Sequence, residues 1–108
     1  MIKSDLGLYT RVGTPLYLAP EIIKYEKYDY KADVWGLGCV LYLIATLAHP
    51  FEGKNIISLG QNIVHAEPKP ILGYSERLNH MIQAMLRKDP NKRPDPSKLL
   101  KDYFPVEC

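Results

Sequence analysis

Between Ala32 and Ala48 the sequence reads ADVWGLGCVLYLIATLA, with a single charge, Asp33, near its start. A helix at the surface of a globular domain is apolar along one stripe. This run is apolar on every side, so as a helix it should be covered on every side. At 1.5 Å per residue it would be roughly 25 Å long, the width of a small domain. A membrane-spanning helix needs about 20 apolar residues, whereas Val34 to Ala48 is shorter, holds two glycines and ends at His49-Pro50-Phe51. A central strand is excluded by length, since strands typically run ~4–8 residues. Asp33 in the first turn suits the positive end of a helix dipole. The run is therefore predicted to be the central buried helix of a mainly α domain, with the other elements packed on it.

The flanking sequence supplies those elements. Residues 1–19 are polar, punctuated by glycine and proline, and read as an extended loop. Pro20 and Glu21 can open a short helix through Lys24, with proline at the first position and an acid in the first turn. Asp29 is placed to cap the long helix, and His49-Pro50-Phe51-Glu52-Gly53 breaks it. Asn55 resembles an N-cap for an amphipathic helix carrying Ile56, Leu59 and Ile63. Ser75 is placed to cap another, in which Leu78, Met81, Ile82, Met85 and Leu86 repeat at helical spacing. Arg87 and Lys88 sit where its dipole is negative. Asp95 followed by Pro96 opens a last short helix through Tyr103. About four helices thus surround the central one, and no substantial sheet is expected.

The 108 residues suggest one domain of ordinary globular composition, 46% hydrophobic and 24% charged. The net charge of +2, with Lys and Arg scattered, gives no electrostatic case for nucleic acid or an anionic membrane. Cys39 and Cys108 form neither a disulfide framework nor a metal spacing, so a reducing, intracellular, cytoplasmic setting is the default, with cytoskeleton or nucleus as alternatives. The first five residues lack the apolar core of a signal peptide. His49, His65 and His80 show no ligand spacing, and Met81 and Met85 are a core stripe.

Three motifs occur in order: Gly13-Thr14-Pro15-Leu16-Tyr17-Leu18-Ala19-Pro20-Glu21, then Asp33-Val34-Trp35-Gly36-Leu37-Gly38, then Lys88-Asp89-Pro90-Asn91-Lys92-Arg93-Pro94. Together they resemble the C-terminal lobe of eukaryotic protein kinases over nearly the whole chain. Asp5-Leu6-Gly7 looks like the kinase DFG triplet with Leu in place of Phe. Gly13-Thr14 before Pro15 is the serine/threonine-kinase pattern. Gly38 to Tyr42, Leu47 to Phe51, Asn55 and Leu59 are similar to the NIMA-related kinases.

The resemblance implies a partial protein kinase domain over residues 1–108, with an activation segment at 5–21, the central helix at about 31–48 and C-terminal helices at about 55–104. It implies that Asp5 ligates Mg²⁺ bridging the ATP phosphates and that Thr14 lines the substrate-docking loop. Glu21 and Arg93 would form a structural ion pair, because the guanidinium fork binds a carboxylate bidentately. Asp33 would hold the backbone of a catalytic loop, and Thr10 is the candidate phosphosite. Trp35 is read as core.

Phosphoryl transfer also needs a Gly-rich loop, a strand lysine paired with a helix glutamate, and a catalytic loop with its Asp base. These motifs are not found in the 108 residues. The family reaction is ATP-dependent phosphorylation of Ser/Thr on protein substrates, yet the chain alone is expected neither to bind ATP and Mg²⁺ nor to catalyse. The alternative function is a catalytically dead kinase-lobe module that binds protein partners through Asn55–His65. A central helix deprived of the catalytic loop should also leave large apolar side chains exposed, each forfeiting about 1.5–3 kcal/mol.

Overall fold

A computed structural model of the chain describes residues 15–103. Among them are five α-helices and no strand: α1 (Pro20–Ile23), α2 (Lys31–Thr46), α3 (Ile56–His65), α4 (Glu76–Met85) and α5 (Pro96–Tyr103). Single 3-10 turns lie at Pro15–Tyr17 and Pro90–Lys92. The central apolar run is the longest helix. No described helix is long and apolar enough to cross a membrane.

Local chemistry sets the helix ends. The Asp29 carboxylate accepts the Lys31 N–H at 2.9 Å, so it satisfies a free donor at the start of α2. Asn55 and Ser58 form a reciprocal capping box on α3, each side chain accepting the other's backbone N–H. Ser75 Oγ accepts the Leu78 N–H and starts α4. The central helix stops at Thr46, two residues short of the expected end, because Leu47 turns left-handed with φ 62°. Its N–H still reaches Leu43 O at 2.7 Å, and Thr46 Oγ1 accepts the Ala48 N–H just beyond.

One face of α2 packs on α4. Val34, Trp35, Cys39 and Tyr42 meet Met81, Ile82, Met85 and Leu86 in a core completed by Phe51, Leu59, Ile63, Ile71 and Leu99. Gly38 lets the two helices approach. A Cβ there would lie 2.9 Å from Met85 Cβ and 3.1 Å from Leu86 Cδ2. Gly60, inside α3, has no such excuse: a Cβ there would meet only Ile23 Cγ2, at an ordinary 3.8 Å. It costs the helix about 1 kcal/mol relative to alanine.

The opposite face of α2 departs from a helix covered on every side. Leu37, Val40, Ile44 and Leu47 are exposed, Ile44 at 66% and Leu47 at 87%. Their spacing places them on one stripe, and no described element covers it. Apolarity all round the helix records a need for cover that residues 15–103 meet on one side only.

Candidate functional site: the Glu21–Arg93 junction and the outer groove of α2

Arg93 lies 72 residues from Glu21 in sequence and meets it in the interior. Nη1 and Nη2 each donate to one carboxylate oxygen at 2.8 Å, a bidentate fork. The remaining donors are also used. Nε reaches Arg87 O at 2.7 Å, Nη1 also reaches Lys31 O at 2.9 Å, and Nη2 reaches Lys88 O at 3.1 Å. All five guanidinium N–H groups therefore have acceptors, which is the condition under which an arginine can be buried. One side chain thereby ties α1, the start of α2 and the chain leaving α4.

Lys31 returns the clasp. Its Nζ donates to Arg93 O at 2.8 Å and Pro90 O at 3.3 Å, and lies 3.6 Å from Asp95 Oδ1. Asp95 also accepts the Tyr30 hydroxyl at 2.7 Å, and that hydrogen bond holds its carboxyl below the usual range.

Trp35 sits at the centre. Phe51 stacks on it at 5.4 Å with the planes 9° apart. The Arg93 guanidinium lies 5.0 Å and the Lys88 ammonium 5.3 Å from its ring centroid, within cation–π range. Its indole N–H is buried without a partner among the described residues.

Lys88 does something the sequence did not foretell. It was expected to complement the dipole of α4. Instead its Nζ lies 4.2 Å over Phe51 and donates to Ile63 O at 2.7 Å. Ile63 is in the last turn of α3, where carbonyls lack helical partners, so Lys88 caps a different helix from the one it follows. Burial pushes its ammonium down to about 8, with Glu67 opposing the shift. Burial likewise pushes the Cys39 thiol up to about 12, so Cys39 is an inert core thiol. Lys31 and Lys88 are the junction cations whose partners sequence reasoning missed. The nearest signal was the crowding of cations between Lys88 and Arg93.

Among the described residues the charged groups of this junction are engaged with one another or with backbone carbonyls, an arrangement that holds loops together. The open ground is beside α2. A groove of about 500 Å³ runs between the 15–18 segment and the helix, lined by Tyr17, Leu18, Ile22, Asp33, Leu37 and Val40 among others. Asp33 is exposed there, and its carboxylate has no hydrogen-bond partner among the described residues. The Tyr17 hydroxyl is fixed by His49 Nδ1 at 2.9 Å. The structure thus brings Glu21 and Arg93 together and leaves Asp33 apart, facing the groove. Asp5, Thr10 and Thr14 lie outside the described residues. No group of three or more metal-ligating side chains occurs among the described residues.

Residues 1–104 match the protein kinase domain family. The chain is 44% identical over 96 residues to the human serine/threonine-protein kinase Nek5, an alignment that covers 88% of this chain and 14% of that protein. It is 45% identical over 107 residues to the probable serine/threonine-protein kinase nek3 of Dictyostelium discoideum, covering 96% and 10%. It is 49% identical over 95 residues to human serine/threonine-protein kinase Nek10, covering 86% and 8%. The chain spans less than a sixth of the length of each of these three relatives. With its helical architecture, its Glu21–Arg93 junction and these matches, the chain belongs to the protein kinase family, as C-lobe sequence similar to the NIMA-related serine/threonine kinases.

Proposed function

We propose that these residues form the substrate-side part of a serine/threonine protein kinase that transfers phosphate from ATP to Ser/Thr of protein substrates inside the cell. The observation that carries this is the exposed Asp33 carboxylate in the α2 groove, without a hydrogen-bond partner among the described residues and beside exposed Leu37 and Val40. A backbone rich in N–H donors, as a catalytic loop is, would satisfy Asp33, and its side chains would cover the stripe.

In this reading the Glu21–Arg93 fork fixes the end of the activation segment. Asp5 is the Mg²⁺ ligand, Thr14 lines the docking loop and Thr10 is the phosphosite. ATP and Mg²⁺ are the family's cofactors. In this reading the 108 residues alone neither bind ATP–Mg²⁺ nor catalyse, because the Gly-rich loop, the strand lysine and the catalytic-loop motif are not found among them.

Two measurements test the proposal together. Calorimetric titration of the 108-residue chain with ATP–Mg²⁺ should give no heat of binding. A cellular species recovered with an antibody to this region should phosphorylate Ser/Thr peptides and lose that activity on Asp5→Ala. Binding of ATP–Mg²⁺ by the chain alone, or full activity of the Asp5→Ala species, would overturn it.

A further inference from the structure

Tyr17 and His49 lie 32 positions apart in sequence and meet beside the α2 groove. The Tyr17 hydroxyl is 2.9 Å from His49 Nδ1, and the two rings are in tilted contact with centroids 5.5 Å apart. Burial holds the tyrosine hydroxyl above its usual range. The hydroxyl therefore keeps its proton and donates it, and the neutral imidazole accepts at Nδ1 with its own proton on Nε2.

His49 stands on a fixed corner. Before it, Thr46 Oγ1 donates to Tyr42 O at 2.9 Å and accepts the Ala48 N–H at 3.1 Å. After it, Pro50 locks its own φ, and Phe51 is buried and stacked on Trp35. A side chain held between two such points can orient another, as a positioning group must. Tyr17 packs its ring partly against the core, so what the hydrogen bond adds is direction. The segment from Tyr17 to Glu21 is then fixed at both ends, by His49 at one and by the Arg93 fork at the other. Both anchors rest on Trp35, which stacks on Phe51 and carries the Arg93 guanidinium 5.0 Å from its centroid. Between the anchors, Leu18 lines the α2 groove together with Tyr17.

We propose that His49 is a positioning residue for the protein substrate. Through the Tyr17 hydroxyl it sets the place of the Tyr17–Glu21 segment, and with it the docking loop that leads into that segment from Thr14. The inference rests on the kinase reading above and adds to it a residue to which that reading gives no role.

The test uses the cellular species that carries these residues, assayed on a Ser/Thr peptide. His49→Leu removes the acceptor and should raise KM for the peptide by about three- to tenfold, the worth of one neutral hydrogen bond, with KM for ATP unmoved. His49→Asn places Oδ1 where Nδ1 stood and should restore most of the loss. Tyr17→Phe removes the hydroxyl alone, which guards against misfolding of the first variant, and should match His49→Leu. The double variant should be no worse than either single one, because both remove the same hydrogen bond. The inference falls if KM for ATP rises in parallel, if His49→Asn is as poor as His49→Leu, or if the two single losses add. An active parent whose peptide KM is unmoved by His49→Leu and Tyr17→Phe refutes this inference alone, whereas an inactive parent refutes the kinase reading and this inference with it.

Discussion

Replacing Arg93 should cost more than replacing its partner, and the structure says by how much. In Arg93→Met the Glu21 carboxylate is left buried without its fork, and the carbonyls of Lys31, Arg87 and Lys88 lose their donor. Breaking a buried pair from one side typically costs about 3–5 kcal/mol. The orphaned carbonyls add about 1 kcal/mol or more together, even with water reaching some of them. The expected loss is therefore about 4–6 kcal/mol, close to the whole stability of a domain at the low end of the ~5–15 kcal/mol range. In Glu21→Met the guanidinium keeps its three carbonyl acceptors and its place on Trp35. That loss should be smaller by about 2 kcal/mol. The double variant should lose less than the sum, with a coupling of about 2–3 kcal/mol, because no buried charge then lacks a partner. Urea unfolding followed by far-UV circular dichroism and by fluorescence supplies the numbers. Trp35 is the only tryptophan and lies in the junction, so its emission reports the loosening directly. Equal losses in the two single variants, or strict additivity in the double, would refute the view that Arg93 is held by the loops as much as by Glu21.

The lowered Lys88 ammonium makes stability depend on pH. Its folded value of about 8 lies below the reference 10.5, so between those values the unfolded chain binds more protons and stability rises with pH. Allowing for its partial exposure, the gain between about pH 7 and 9 should be about 1 kcal/mol in urea midpoints, and Lys88→Met should abolish it. Above about pH 9 the Cys39 thiol, raised to about 12 in the fold, works the other way, because the unfolded thiol ionises first and stability falls. Gly38→Ala should destabilise by about 1–3 kcal/mol through overpacking against Met85 and Leu86, whereas Gly36→Ala, with open space around its Cβ, should be neutral or stabilising in the same melts.

The helices were legible because each is written in local chemistry. Asn55, Ser75 and Asp29 are short polar side chains that take free N–H groups, and the α4 repeat of Leu78, Met81, Ile82 and Met85 can bury only one face. The pairing of Glu21 with Arg93 was legible only through the family resemblance, since no local pattern relates positions 72 apart. Lys88 shows where local reading stops. A cation after α4 satisfies the dipole of α4 by position, yet a flexible four-carbon stem lets its ammonium choose any acceptor within reach. The bend at Asp89-Pro90 and the packing of Phe51 set the free Ile63 carbonyl beside it. The exposed stripe on α2 is the converse case. The seventeen-residue apolar run expressed a demand for cover on all sides, and hydrophobicity alone does not say who supplies it. Trp35, Cys39 and Tyr42 find α4. Leu37, Val40 and Ile44 lie along the same helix with equal apolar character and find nothing within the described residues, next to an acid, Asp33, that also lacks a partner. A fold that needed only its own stability would gain by making that face polar, so an apolar stripe without cover among the described residues fits a surface that is covered by something else.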